Sequence, residues 1–360
     1  MTPEVKILRP IAVLASLLML TASAVAQMSL TPPEQTPPSA ASKPVAKPKA
    51  KPAAKKNEAI TKPATPPAAQ TVTVTPAPAP DDPNVDLVYG AYQRGLYKTA
   101  YDLAIKRVQE TGDPKAMTML GELSANALGV KRDYAKAAEW YKRAADAGDR
   151  EGMFALGMMR LAGRGGPVNR EEAVKLMASS AKLGNPKAAY NLALLYLDGQ
   201  TLPQDLRRAA ELFRRAADAG NSEAQYALAT FYKEGTGVPK DAEKAAQLLQ
   251  AASLADNVDA EVEYAIALYN GTGTPKNEAA AVALLRKAAR QNSPIAQNRL
   301  ARVLVSHQGT PEDRIEGFKW HLVAKTGGKS DPELDQAMSK LSPEDHAKAE
   351  ALARKWLNVK

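Results

Sequence analysis

From residue 113 to residue 328 the chain repeats one pattern of apolar and polar positions every 36 residues. Two neighbouring columns of that pattern read Trp140, Leu176, Leu212, Leu248, Leu284, Trp320 and Tyr141, Met177, Phe213, Leu249, Leu285, His321. Small residues follow at Ala144, Ser180, Ala216, Ala252, Ala288 and Ala324. The first half of each period has its own small column: Gly121, Gly157, Ala193, Ala229, Ala265 and Ala301. Residues three and four apart share one helix face, and small ones let a second helix approach closely. Each period therefore predicts two amphipathic helices, A and B. No single pair can bury its apolar face alone, so neighbours must stack into one continuous core.

Polar punctuation agrees with this division. Asp113, Asp149, Asn185, Asn221, Asn257 and Ser293 precede the A helices, and Asp133, Asn169, Asp205, Asp241, Asn277 and Asp313 precede the B helices. All are N-cap residue types, whose side-chain oxygen accepts a free N–H of the first turn. Pro114, Pro186 and Pro294 stand at N1, where the missing N–H costs nothing. Pro167, Pro203, Pro239, Pro275 and Pro311 are placed in the turn before the second to sixth B helices. The residue before each A cap is Gly, Gly, Gly, Gly, Asp or Asn, types that tolerate a left-handed helix end.

The flanks differ. Residues 84–112 read as a helix pair with a tight turn at Gly95-Leu96. Residues 329–360 read as a C-terminal capping helix that starts at Ser342-Pro343. Upstream, Lys6 and Arg9 precede an apolar run from Ile11 to Leu20, and Ala24-Val25-Ala26 has the small-x-small form of a signal-peptidase site. Residues 1–26 are thus expected to be a signal peptide, with an uncleaved inner-membrane anchor as the alternative. Residues 27–83 hold 14 of the 26 prolines, seven lysines and no aromatic residue. That composition cannot bury enough apolar surface to offset ordering entropy, so a disordered Pro/Ala/Lys-rich linker is expected.

The segment from Ala224 through Tyr232, Gly235, Gly237 and Asp241 to Ala245 resembles the Sel1-like repeat, a relative of the tetratricopeptide repeat. Gln204 through Ala216 and Ala217 to Gly220 resembles its second half. The resemblance covers six units over residues 113–328, while 84–112 is more similar to a plain tetratricopeptide unit. It implies an all-α fold, an α-solenoid of stacked helix–turn–helix repeats used as a protein-binding scaffold, frequently in exported bacterial proteins. Some exported members carry a disulfide in each repeat. This chain has no cysteine, so properties of that subgroup do not transfer.

Composition removes several chemistries. Without cysteine there is no thiolate nucleophile and no Cys-ligated metal, and the three histidines (His307, His321, His346) lack metal-ligand spacing. The loops around Gly163-Arg-Gly165 and Gly271-Thr-Gly273 have glycines but no preceding strand and an acidic or amide cap after them, which argues against phosphate. The net charge of +9 comes from interspersed bases without a stripe, so no nucleic-acid partner is expected. No enzyme activity, cofactor or metal is expected either.

A protein or peptide partner is expected, on the concave face that the resemblance assigns to the A helices. Outward columns of those helices give the candidates Phe154, Met158, Tyr190, Leu194, Tyr226, Thr230, Lys233 and Tyr269. These side chains are either an exposed groove or packing between repeats. The leading expectation is a periplasmic, non-enzymatic adaptor for another envelope protein, in signalling or envelope maintenance, with no membrane insertion after signal cleavage. A second is a cell-wall-associated or secreted binding protein, kept near the wall by its basic linker. A third is a hydrolase with a site in the groove.

Overall fold

The computed structural model describes residues 86–306 and 310–358. The proposed signal peptide, the whole of the proposed linker and His307 lie outside them. Every regular element among the described residues is an α-helix. They begin with α1 (Leu87–Gln93) and α2 (Tyr97–Thr111). Six A/B pairs follow: α3 (Pro114–Asn126) with α4 (Tyr134–Asp146), α5 (Arg150–Ala162) with α6 (Arg170–Lys182), α7 (Pro186–Asp198) with α8 (Leu206–Asp218), α9 (Ser222–Glu234) with α10 (Ala242–Leu254), α11 (Val258–Asn270) with α12 (Glu278–Arg290), and α13 (Pro294–Val305) with α14 (Pro311–Thr326). Two more close the stack, α15 (Pro332–Met338) and α16 (Pro343–Leu357). From α2 to α15 each helix packs on the one before it in sequence, and α16 packs back on α14, which makes an α-solenoid.

The caps form as their residue types dictate. All six A-helix caps, Asp113 through Ser293, accept a first-turn N–H, and so do Asp133, Asn169, Asp205, Asp241 and Asn277. The sixth B helix departs from the ladder. Asp313 is not its N-cap, and Pro311 is not in the turn before it. Thr310 is the cap, Pro311 stands at N1, and the Asp313 carboxylate accepts the Thr310 N–H at 3.1 Å while Thr310 Oγ1 accepts the Asp313 N–H. This capping box satisfies two donors at once. Glu312 then sits in the first turn, where the helix dipole favours an anion. The related Thr274-Pro275 sequence is followed by Lys276, which would oppose that dipole, and there the helix waits for Asn277. The C-terminal cap also differs from the expected single helix: Asp331 caps the extra two-turn helix α15 ahead of α16.

The core is built on small residues. Ala144, Ser180, Ala216, Ala252, Ala288 and Ala324 are all fully buried. Gly121 makes room for the Tyr141 ring, which a methyl group there would strike. At the centre, the fully buried Phe213 ring meets Phe231 edge-on at 5.4 Å and tilts against Tyr190 at 5.6 Å.

In four of the six repeats a loop glycine rests on a helix of the unit before it. Gly237, with φ +65°, lies flat against the backbone of Leu206, the first residue of α8, so a β-carbon would collide with the Leu206 carbonyl. Gly129, Gly165 and Gly273 meet the starts of α2, α4 and α10 in the same way. In the third repeat this position is Thr201.

Ion pairs concentrate at the C-terminal end. Arg302 grips Asp331 with Nε at 2.6 Å and a second nitrogen at 2.9 Å, and Asn298 adds a third bond at 2.7 Å. Burial alone would push the Asp331 carboxyl up, but Arg302 and Asn298 outweigh it and hold the group below the ordinary carboxylate range. Glu316 behaves alike, with burial outweighed by Arg286 at 2.7 Å. A carboxylate with a depressed folded-state pKa stabilises fully above its unfolded value of about 4, and that contribution fades as pH falls through the folded value. The end of the array around α13–α16 should therefore loosen first in acid. Pepsin at pH 2–3 is expected to cut within 294–358 before it cuts within 114–221, and the reverse order would count against this.

Candidate protein-binding surface

Two pairs of neighbouring A helices touch directly, α3 with α5 and α11 with α13, while no two B helices of the six repeats come as close. The A helices thus line the inner side of the stack. Positions five, nine and twelve of each A helix lie three to four residues apart, so they share one face.

The structure spreads the candidate residues over a range of exposure. Met158, 38% exposed, and Lys233 are exposed. Phe154, Leu194, Tyr226, Thr230 and Tyr269 are half-buried. Tyr190 is buried at 7%, its ring is held by Phe213, and burial followed by the charge of Glu223 pushes its hydroxyl up to about 12. Thr230 turns its hydroxyl back to the Tyr226 carbonyl at 3.1 Å, and the Lys276 ammonium lies 5.9 Å from the centre of the Tyr269 ring. Of these side chains Tyr190 is packed, against Phe213 of its own repeat, and Met158 is exposed.

Three acidic residues that the column reading passed over stand beside it. Lys233 on α9 reaches Glu263 on α11 at 2.7 Å. Burial first, then Glu263, Asp259 and Glu234, raises the Tyr226 hydroxyl well above its ordinary value. Asp259 is itself raised, by burial and then by Glu263. The signal was present one position away: Asp259 and Glu263 are four apart on α11, and they border the column that holds Val262 and Ile266.

Among the described residues no group of acidic or histidine side chains is arranged to hold a metal ion, and no helix is long and apolar enough to cross a membrane. His321 is a core residue, fully buried, with Nε2 2.9 Å from Asp335.

The sequence profile of the Sel1 repeat matches residues 114–149, 150–185, 186–221, 222–257, 258–293 and 294–328. The chain belongs to the Sel1 repeat family. Sel1 repeats serve as protein–protein interaction scaffolds and are generally non-enzymatic. Two solved structures share the Sel1 architecture. A protective antigen of uropathogenic Escherichia coli with an SLR fold is 27% identical, with a TM-score of 0.65 over 76% of this chain and 59% of that one. A Sel1 repeat protein from Oxalobacter formigenes is 26% identical, with a TM-score of 0.58 over 67% of this chain and 98% of that one. This chain therefore spans less than two thirds of the E. coli antigen. No curated protein matches it.

Proposed function

We propose that this Sel1 protein is a non-enzymatic adaptor of the bacterial periplasm that holds another envelope protein on its concave face. The observation that carries the reading is the strip of Phe154, Met158 and Leu194, apolar side chains left half-exposed or exposed on the inner side of the array. An apolar strip framed by polar residues is the form of a peptide-docking surface. The location rests on the basic, apolar and small-residue succession of residues 1–26.

Photo-crosslinking in intact cells from position 154, one turn before Met158 on the same helix face, tests both parts. An envelope protein is expected to be captured, and Met158→Asp is expected to abolish capture while leaving the melting temperature nearly unchanged, because the side chain is exposed. Tyr190→Asp serves as the contrast, since a charge buried against Phe213 should unfold the repeat. Capture that survives Met158→Asp would sink the concave-face reading. A second reading, retention at the cell wall, is favoured by the seven lysines of residues 27–83. Deleting that stretch should release the protein from sacculi under this reading and leave capture intact under the first.

A further inference from the structure

The inner face changes character along its length. In the second and third repeats its three columns are uncharged: Phe154, Met158, Leu161, then Tyr190, Leu194, Leu197. In the fourth and fifth repeats Lys233 on α9 pairs with Glu263 on α11 at 2.7 Å, Asp259 lies one turn before Glu263, and Glu234 follows Lys233, so three carboxylates stand with one lysine. Asp259 and Glu234 make no ion pair or hydrogen bond among the described residues.

We infer that the concave face takes an extended segment of a partner protein whose apolar residues seat on the second and third repeats and whose lysine or arginine residues lie on the fourth and fifth. This rests on the adaptor reading and names the partner's chemistry. Two features carry it. A strip without charge admits only apolar side chains at no desolvation loss, and a group of carboxylates with one shared lysine keeps an uncompensated negative charge. A cation brought there is desolvated on one side and meets fixed anions, where complementarity adds both affinity and direction. The two zones also set a spacing. Packed helices lie about 8–10 Å apart, so two repeats separate the zones by ~20 Å, which about six residues of extended chain would span.

Fluorescence anisotropy tests this with the full chain and a labelled peptide. The peptide has leucine–phenylalanine–leucine at one end, lysine–arginine–lysine at the other, and a serine/glycine spacer of about five residues. Binding is expected, weakening as salt rises. Replacing the basic end by serines, or introducing Asp259→Asn together with Glu234→Gln, should weaken it about tenfold. Neither substitution breaks an existing contact, and an unchanged thermal melt verifies folding. Met158→Asp should weaken the parent and the serine-ended peptide alike.

If the double variant and the serine-ended peptide both bind as the parent does, the charge assignment is overturned while the adaptor reading stands. If a lysine-only peptide binds equally well and ignores Met158→Asp, the attraction is unspecific and the inference is overturned. If no peptide binds, this inference is overturned, and crosslinking from position 154 decides the adaptor reading separately.

Discussion

Phe213→Ala is expected to destabilise the array by about 4 kcal/mol, the usual size for emptying a fully buried phenylalanine site. Its ring joins three helices: it sits on α8, meets Phe231 on α9 and Tyr190 on α7, and is fully buried. Alanine would leave a void between two rings that small neighbours such as Ala216 and Ala229 cannot fill. The second consequence concerns cooperativity. A solenoid is held by the stability of each repeat and of each seam with its neighbour. Weakening the seam between the third and fourth repeats should let the two halves unfold at different urea concentrations. Trp140 in α4 and Trp320 in α14 lie on opposite sides of it, so single-tryptophan variants can follow each half. The expected result is one shared transition in the parent and two in Phe213→Ala. A single transition shifted by less than about 1 kcal/mol would show that the cluster is not central to the fold.

Gly237→Ala is expected to cost about 3 kcal/mol, from a left-handed backbone and a collision with the Leu206 carbonyl together. Gly220 separates the two contributions. Its φ is +83°, but nothing lies within 4 Å of where a β-carbon would stand. Gly220→Ala should therefore cost only the conformational share, about 1 kcal/mol. Thermal or urea unfolding of the two variants gives both values. Equal costs at the two sites would mean that the loop glycine does not join the repeats.

The repeats were legible because the same physical requirement recurs at each step. Caps, N1 prolines and small-residue columns each answer a local need, and six occurrences make a pattern that one could not. Asp313 was misplaced for the same reason: extending a ladder ignores what its neighbours offer. The nearby Thr310 and Glu312 make an earlier start favourable. The locking role of Gly237 was hidden because its partner, Leu206, belongs to the preceding repeat, and periodicity reports faces of helices and not which backbone a loop touches. The inner surface was only partly legible. Periodicity puts Met158 and Tyr190 on neighbouring columns of one face, yet one is exposed and the other lies behind Phe213. What separates them is the residue opposite, Phe213 on the following helix, and a helical wheel drawn for one helix does not contain it. Asp259 and Glu263 were passed over because a search for an apolar groove reads past charges.

The constant step between loop glycines has a consequence for heredity. Each step carries its own caps and small columns, and four of the six carry the glycine that rests on the step before. A gene that gains or loses one whole step by unequal recombination keeps its reading frame and presents the same contacts at the new junction. Loss of a single codon within a helix would turn the rest of that helix's columns by about 100° away from their face. Length can therefore vary among descendants of this chain in whole repeats, which would lengthen or shorten the inner surface while leaving the joints unchanged.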